Sequence, residues 1–583
     1  MNDRRRGWER YLPGVAVLRR YERPWLRGDL VAGITVAAYL VPQVMAYAVI
    51  VGLPSVVGLW AILLPLLLYA ILGSSRQLSI GPEASTALMT AAGVGALVGA
   101  VGAERHAEVA AIFAIAVGIV CLAGWVLRLG FLAALLSRPV LVGYMTGIGL
   151  LMIVSQLGKV TKLDLDGGHP LLEVWSFLTQ LPQAHLPTAA LSLGLLVLLF
   201  LGRRLIPKWP SPLIVLLLGA AAVALFNLQR FGLETIGSVP TGLPAPRVPA
   251  LGDISIWALL PFAVGITVVG YSDNVLTGRA FAAKRRESID ASQELLALGA
   301  ANVATGFLQG FPVSSSSSRT VLGDSAGSRT QLHSLVALLC VVAVLLFAGP
   351  VLATFPTAGL GALVIYAATR LVDTAEIKRI AHFRRSEIVL TVITVAGVLA
   401  FDILIGIGIA IALSILDLIR RISHPHDGVL GYVPGVAGMH DVEDYPGALQ
   451  VPGLVVYRYD SPLFFANAEN FLNRAQHAVE TAEQPVHWFL LNAEANTEWD
   501  LTAVDTLELL RENLEAAGIT FAMARVKQET RDQLEHIGFL EKVGPSHVFA
   551  TLPTAVQGYI RWHEATFGAA PAGLPGQAPR HSG

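Results

Sequence analysis

The chain has 583 residues, of which 54% are hydrophobic and only 14% charged, whereas a soluble globular protein carries roughly a quarter charged residues. That imbalance excludes a wholly soluble chain and places most of it in lipid. A net charge of −1 argues little, because sidedness matters more than the sum in a membrane protein, and no nucleic-acid partner is expected.

The basic segment 1–27 lacks an apolar core followed by a small-residue cleavage site, so it reads as a retained, cytoplasmic N-terminus. From Leu30 to Leu418 the apolar residues gather into runs, most of them roughly 17 to 22 residues long, each able to cross a hydrocarbon core of ~30 Å as a helix. Fourteen spans are expected, near 30–50, 57–73, 84–101, 108–127, 132–157, 187–203, 212–226, 256–279, 292–308, 314–323, 331–349, 352–369, 386–401 and 403–420. With the N-terminus inside, the even-numbered exits carry most of the basic residues, including Arg128, Arg138, Arg203, Lys208, Arg279, Arg370, Arg379 and Arg420. That distribution obeys the positive-inside rule. The expected fold is an α-helical membrane protein in a cell inner (plasma) membrane, multi-pass, with both termini cytoplasmic. Cys121 and Cys340 sit within apolar runs, which argues against disulfides and against a thiolate metal site.

A Pro- and Gly-rich break between Phe226 and Leu251 separates seven spans from seven. An odd number per half inverts the second relative to the first, so a 7+7 inverted repeat is expected, with a binding site at the midplane between broken helices. Both third spans are interrupted, one by Gln77-Leu-Ser-Ile-Gly-Pro-Glu-Ala-Ser-Thr86, the other by Gln309-Gly-Phe-Pro-Val-Ser-Ser-Ser-Ser-Ser-Arg-Thr320. Irregular backbone at membrane depth survives only where protein buries it or a cavity wets it.

A helix N-terminus offers free N–H groups and a positive dipole end, so two facing half-helices make an anion site. Ser85 and Thr86 sit on one, and Ser314 to Ser318 on the other. Arg319 adds a permanent cation, which at that depth calls for an anionic ligand, a carboxylate partner or water. The plainer reading has the serines as caps and Arg319 paired with an acid. Asp273 lies within the eighth span; it is either a proton-coupling group or a static partner of Arg319. Glu83 is either a second protonatable group, neutralised as the anion binds, or a cap acid favoured by the helix dipole. Pro42 bends the first span, so Gln43 and Tyr47 could offer hydrogen bonds to substrate, although Tyr47 could equally anchor at the interface. Asp402 reads as interfacial, and His424, Pro425, His426 and Asp427 as the membrane exit rather than a metal site. No GxxxxGK[ST] pattern and no metal-spaced Cys/His cluster occur, so neither an enzyme, a cofactor nor ATP-driven pumping is expected.

Residues 424–565 are polar and alternate strand-like and helix-like runs: strands at Leu454–Tyr459, Val486–Leu491 and Ile519–Ala524, helices near Ala466–Ala482, Thr502–Ala517 and Gln528–Ile537. A cytoplasmic α/β domain is expected, followed by a disordered tail at 566–583.

Residues 10–565 resemble the SulP family of sulfate permease-like anion transporters, including bacterial members with a C-terminal STAS domain. The likeness is carried by Gly28-Asp-Leu-Val-Ala-Gly-Ile-Thr35 with Pro42-Gln43, by Gly81-Pro82, by Gln293-Glu-Leu-Leu-Ala-Leu-Gly-Ala-Ala-Asn302, and by the serine run ending at Arg319. It implies a core of spans 1–4 and 8–11 moving against a gate of spans 5–7 and 12–14 within 28–423, in elevator-like alternating access, and a homodimer. It implies an anion held among Gln43, Tyr47, Ala84, Ser85, Ser317, Ser318 and Arg319, with Asp273 in cation coupling. Glu83, a second coupling candidate, departs from the small or neutral residue common after the Gly-Pro break. The function implied is secondary transport of sulfate coupled to protons, or to sodium, with bicarbonate or C4-dicarboxylate uptake and a channel-like or sensing role as alternatives. In the soluble domain Asp500-Leu-Thr-Ala-Val-Asp505 replaces the family's Asp-Ser pattern, leaving Thr502 as either a phosphate acceptor or a helix N-cap.

Overall fold

Each apolar run folds as a helix, because backbone without water must satisfy its own N–H and C=O groups. The computed structural model describes residues 11–101, 105–130, 137–165, 169–205, 211–237, 240, 242–252, 254–401 and 403–571. The start of the N-terminal segment, Lys208, Asp402 and the tail beyond residue 571 lie outside them. The chain divides into two compact units, Met1–Ser414 and Ile415–Gly583.

In the first unit the main helices are α1 (Leu26–Val51), α2 (Val56–Leu72), α3 (Ala84–Val101), α4 (His106–Val126), α5 (Arg138–Thr161), α6 (Leu186–Leu205) and α7 (Ser211–Leu225). The second half supplies α8 (Ile256–Lys284), α9 (Ala291–Phe307), α10 (Ser317–Ser325), α11 (Leu332–Phe347), α12 (Thr357–Thr369), α13 (Arg385–Ala400) and α14 (Ile403–Ser423). One helix thus stands in each expected span. Local chemistry sets their ends: α1 stops at Gly52, whose φ of 82° is left-handed, and α9 starts at Asp290, whose carboxylate accepts from the Ser292 and Gln293 amides.

Length alone identifies fewer crossings. Among the described residues, Arg23–Val51, His106–Val126, Arg138–Thr161, Ile256–Ala283 and Thr357–Phe383 are long and apolar enough to span a bilayer. A pair bent by 117°, Pro170–Gln183 with Leu186–Gly202, makes a possible sixth. Val56–Leu72, Ala84–Leu97, Ser211–Leu225 and Leu332–Phe347 are apolar but shorter. These four are 10–17 residues long over their apolar stretch, and α10 has only nine residues in all. Short amphipathic helices at Pro170–Gln180 and Thr374–Phe383 lie between the expected spans.

The helices pack in two groups. In one, α9 lies on α4 and α2, α11 on α1 and α2, and α8 on α4 and α3. In the other, α5 lies on α13 and α12, and α6 on α12 and α7. The groups meet where α1 touches α12 and α7, and where α3 touches α5. Small residues set the closest approach, as membrane helices lack a hydrophobic force between them and rely on packing. A Cβ on Gly118 of α4 would stand 2.6 Å from the Val303 nitrogen and 2.8 Å from the Gly299 oxygen of α9.

The second unit is a six-stranded sheet built from β3 (Asp427–Tyr432), β4 (Met439–Asp441), β5 (Leu454–Tyr459), β6 (Trp488–Asn492), β7 (Thr520–Ala524) and β8 (Val548–Phe549), in the order β4-β3-β5-β6-β7-β8. Strands β5 to β8 are parallel, and β3 is antiparallel to both its neighbours. Strand alternation divides the core. Val455, Tyr457, Phe489 and Leu491 pack with Phe471 of α15 (Ala468–Glu480) and Leu507, Leu510 and Leu514 of α16 (Leu501–Ala516). Leu454, Val456, Trp488 and Leu490 pack on the other face with Val556 and Tyr559 of α17 (Leu552–Phe567). The expected strands and helices are present, with β3, β4, β8 and α17 in addition. Thr502 is not the N-cap: Asp500 is, its carboxylate accepting from the Ala503 amide at 2.8 Å and the Phe465 amide at 2.8 Å. A carboxylate two residues earlier reaches those amides first, and Thr502 stands exposed in the first turn.

Candidate functional site

The two interrupted third spans meet as a small antiparallel pair, β1 (Ile80–Gly81) and β2 (Ser314–Ser315), with Ile80 opposite Ser315 and Gly81 opposite Ser314. Their buried backbone groups need partners, and neighbouring side chains supply them. Asn302 of α9 acts as a surrogate strand: its Nδ2 donates to the Val313 carbonyl (2.9 Å) and its Oδ1 accepts from the Val313 amide (2.8 Å). Gln331 donates to the carbonyls of Ser75 and Leu78, both at 2.9 Å. Thr320 accepts from the Ser79 amide at 3.1 Å.

Directly after the crossing, α3 and α10 begin. Arg319, in the first turn of α10, is fully buried. Its Nη1 donates to the Pro82 carbonyl (2.8 Å) and to Gln43 Oε1 (3.2 Å), while Nε and Nη2 have no partner. Gly81 leaves room for this guanidinium: a Cβ there would collide with Ile62 and come within 3.2 Å of Nη2. Gln43 Nε2 donates to the Tyr47 hydroxyl at 2.9 Å, so one amide orients both the cation and the tyrosine. Asp273 on α8 accepts from Ser315 Oγ at 3.2 Å, and Thr277 one turn on shares a hydrogen bond with Ser317 Oγ at 2.8 Å. No ion pair joins Asp273 to Arg319 among the described residues. The Glu83 carboxylate accepts from the Ser85 amide and the Ser85 hydroxyl, both at 2.8 Å.

These groups surround a cavity of about 180 Å³, many times the ~10–15 Å³ that admits one water. Gln43, Tyr47, Glu83, Ala84, Asp273, Ser317 and Ser318 line it. Ser317 is exposed to it and Ser318 partly so. Ser85 and Arg319 stand one layer back, the first holding Glu83 and the second behind the Pro82 carbonyl. Sequence reasoning missed Tyr39, Met145, Val321, Ala367, Arg370 and Leu371, which complete the wall. Arg370 was legible only as a basic residue at a span exit, yet its Nη1 donates to the Tyr39 hydroxyl at 3.3 Å and brings a second cation to the cavity. Thr277 carries no sequence signal beyond its spacing of four from Asp273.

A further buried carboxylate lies next to the site. Glu294 accepts from Tyr69 Oη (2.9 Å), the Ser74 amide (2.9 Å), Ser74 Oγ (2.7 Å) and Asn274 Nδ2 (2.7 Å), with Asn274 adjacent to Asp273. Four donors satisfy it without a cation, which ties α2, α8 and α9 together. In the second unit Arg474 grips Asp427 through Nε (2.9 and 3.0 Å), and the Tyr457 hydroxyl donates to the same carboxylate at 2.8 Å. Burial, reinforced by Asp427, pushes the Tyr457 phenol well above its ordinary value. Among the described residues, no three His, Cys, Asp or Glu side chains are placed to hold a metal.

Comparison with known proteins gives two family matches: the sulfate permease family over residues 26–394 and the STAS domain over residues 445–555. A probable sulfate transporter of Mycobacterium tuberculosis is 54% identical over 555 residues, covering 95% of this chain and 98% of its own. The chloroplastic sulfate transporter 4.1 of Arabidopsis thaliana is 29% identical over 557 residues, 92% of this chain and 81% of that one. In fold the chain is similar to a murine solute carrier 26 family member A9 anion transporter in its inward-facing state, with a TM-score of 0.85 at 24% identity over 96% of this chain and 95% of that one.

Proposed function

Because the chain belongs to the sulfate permease family, as a helical membrane anion transporter with a C-terminal STAS domain, we propose that it takes up sulfate with protons by elevator-like alternating access. One observation carries this reading: a fully buried Arg319 with two unpartnered guanidinium nitrogens and, among the described residues, no carboxylate partner, beside two helix N-termini. A desolvated cation left open in this way calls for an anion.

The oxyanion would sit in the cavity against Gln43, Tyr47, the Ala84–Ser85 turn, Ser317 and Ser318, with Arg319 behind them. Helix dipoles and hydroxyls bind it in place of hydration water. Asp273 and Glu83 are the proposed coupling groups, since both line the cavity and each could take up a proton as negative charge enters. Sodium would serve the same sites as an alternative coupling ion. The moving core is α1–α4 with α8–α11 and the gate is α5–α7 with α12–α14, a division supported by the two packing groups and their sparse mutual contacts. Fourteen crossings, an inner-membrane location, cytoplasmic termini and a homodimer complete the proposal, supported by the basic span exits and by family membership.

The test is uptake of radiolabelled sulfate into proteoliposomes under an inward proton gradient, with bicarbonate and fumarate as competitors. Gradient-driven uptake lost in Asp273→Asn and in Arg319→Ala is the expected result. Uptake of a competitor without sulfate would replace the substrate, and anion flux indifferent to the gradient would replace the carrier by a channel or sensor.

A further inference from the structure

Resting on the reading of this cavity as an anion site, we propose that the Glu83 carboxylate is a tethered stand-in for the transported anion. It fills the N-terminus of α3 while the carrier is empty and must be protonated to release that seat. Glu83 Oε2 holds the Ser85 amide and the Ser85 hydroxyl, each at 2.8 Å. Those are the donors that the start of α3, an 18-residue helix, would present to an incoming oxyanion.

The second observation is Arg319. It is fully buried, it donates to the carbonyl of Pro82 immediately before Glu83, and yet two of its nitrogens have no partner. Accepting from the Ser85 amide is what any N-cap carboxylate does; what sets Glu83 apart is that it caps while facing the cavity, beside a buried cation with two nitrogens left open. In that cavity Tyr39 and Tyr47 of α1, Asp273 of α8 and Arg370 just after α12 share the wall with the Glu83 side chain, and Arg319 of α10 and Tyr144 of α5 lie within electrostatic reach.

Charge balance extends the argument. Counted formally, two carboxylates, Glu83 and Asp273, and two guanidinium groups, Arg319 and Arg370, balance one another in the empty site. A divalent oxyanion adds two negative charges to a low-dielectric cavity, where uncompensated charge is costly. Two protons from the aqueous phase restore neutrality, one bonding to a Glu83 carboxylate oxygen and one to Asp273. The Ser85 N–H and O–H bonds to Glu83 are then exchanged for bonds to an oxygen of the anion, and no covalent bond to the anion forms or breaks. Proton uptake equals the valence of the anion, and transport is electroneutral.

The experiment is calorimetric sulfate binding to the purified full-length chain between pH 5.5 and 8, in buffers of differing ionisation enthalpy so that protons taken up per sulfate are counted. Wild type, Glu83→Gln and Glu83→Ala are compared, with Gln nearly isosteric and thermal unfolding of each variant recorded. In Glu83→Gln we expect one proton fewer per sulfate, a pH dependence shallower by up to about tenfold per pH unit, and binding at pH 7.5 at least tenfold tighter than wild type. In Glu83→Ala, formate as an untethered carboxylate should compete with sulfate, whereas wild type should ignore it. Unchanged proton count and pH slope in Glu83→Gln, or no formate competition in Glu83→Ala, would overturn the stand-in while leaving the anion site intact. Sulfate binding by neither wild type nor variant at any pH would remove the sulfate reading and this inference together.

Discussion

Arg319 illustrates how a single residue divides its bonds. One nitrogen is spent on Gln43 and Pro82, which fixes the plane of the guanidinium and leaves the remaining nitrogens free. Lysine is a point charge without that fork, so Arg319→Lys should not rescue Arg319→Ala. Loss of a charge-assisted bond of roughly 1.5–3 kcal/mol predicts sulfate uptake lowered roughly 10- to 100-fold in both, measured as initial rates at matched protein density. In the soluble unit, hydrogen bonds from Arg511 first and from Lys542 hold the Glu508 carboxyl below its usual value against the opposing effect of partial burial. A depressed folded-state pKa adds stability above the unfolded value of ~4.3 and loses it as pH falls through the folded value. Glu508→Gln should therefore destabilise this unit by about 0.5–1 kcal/mol at pH 7, with the difference shrinking as pH falls below ~4.3 and gone once pH is below the depressed folded-state value. Chemical denaturation followed across that pH range is the check.

At the level of elements, the crossing of β1 and β2 depends on side chains from helices outside it. Asn302→Ala would leave both the amide and the carbonyl of Val313 unpaired in a dry interior, at a cost of about 1–3 kcal/mol each. The expected outcome is a lower unfolding midpoint in detergent together with loss of uptake in protein that still inserts. Much of this region was legible: the two breaks are marked by Gly81-Pro82 and by the serine run, and both half-helices start within a few residues of the expected positions. The two-residue strands were not, because a pairing that short has no periodicity to read. Nor was the role of Glu83, since sequence spacing gives an acid in the first turn without saying which amide its carboxylate takes. Thr502 reads as a cap for a related reason: a hydroxyl at a helix start is a fair cap by type, and only geometry shows that the carboxylate of Asp500, two residues earlier, takes the amide.

For the whole molecule, fourteen apolar stretches could be counted because burial in lipid imposes composition on every segment, but helix length could not, since breaks and bends decide it. Which helices pack together is also invisible in composition. Among the described residues, hydrogen bonds tie the groups at two places on α1. Lys159 Nζ of α5 donates to the Val49 carbonyl at the end of α1 (3.2 Å), and Arg370 at the end of α12 donates to Tyr39 Oη, further back along α1 (3.3 Å). On the proposed alternating access, Lys159→Ala should favour opening at the Val49 end of α1, and Arg370→Ala opening toward the Tyr39 side. For ties of about 0.5–1 kcal/mol the shifts should be roughly two- to fivefold and opposite in sign. They can be read as labelling of Met145→Cys from each side by an impermeant thiol reagent, in a Cys121→Ser, Cys340→Ser background. The pairing of Ile80 with Ser315 also orders events in time. The partners are 235 residues apart in the chain, taking 315 minus 80, which at ~5–20 residues per second is roughly ten to fifty seconds of synthesis. Throughout that interval the start of α3 lies in or beside the bilayer with neither Arg319 nor its opposing strand. The carboxylate of Glu83, only two residues from Ser85, is then already at hand for those N–H and O–H groups, so a contact of the finished site can also serve the unfinished one.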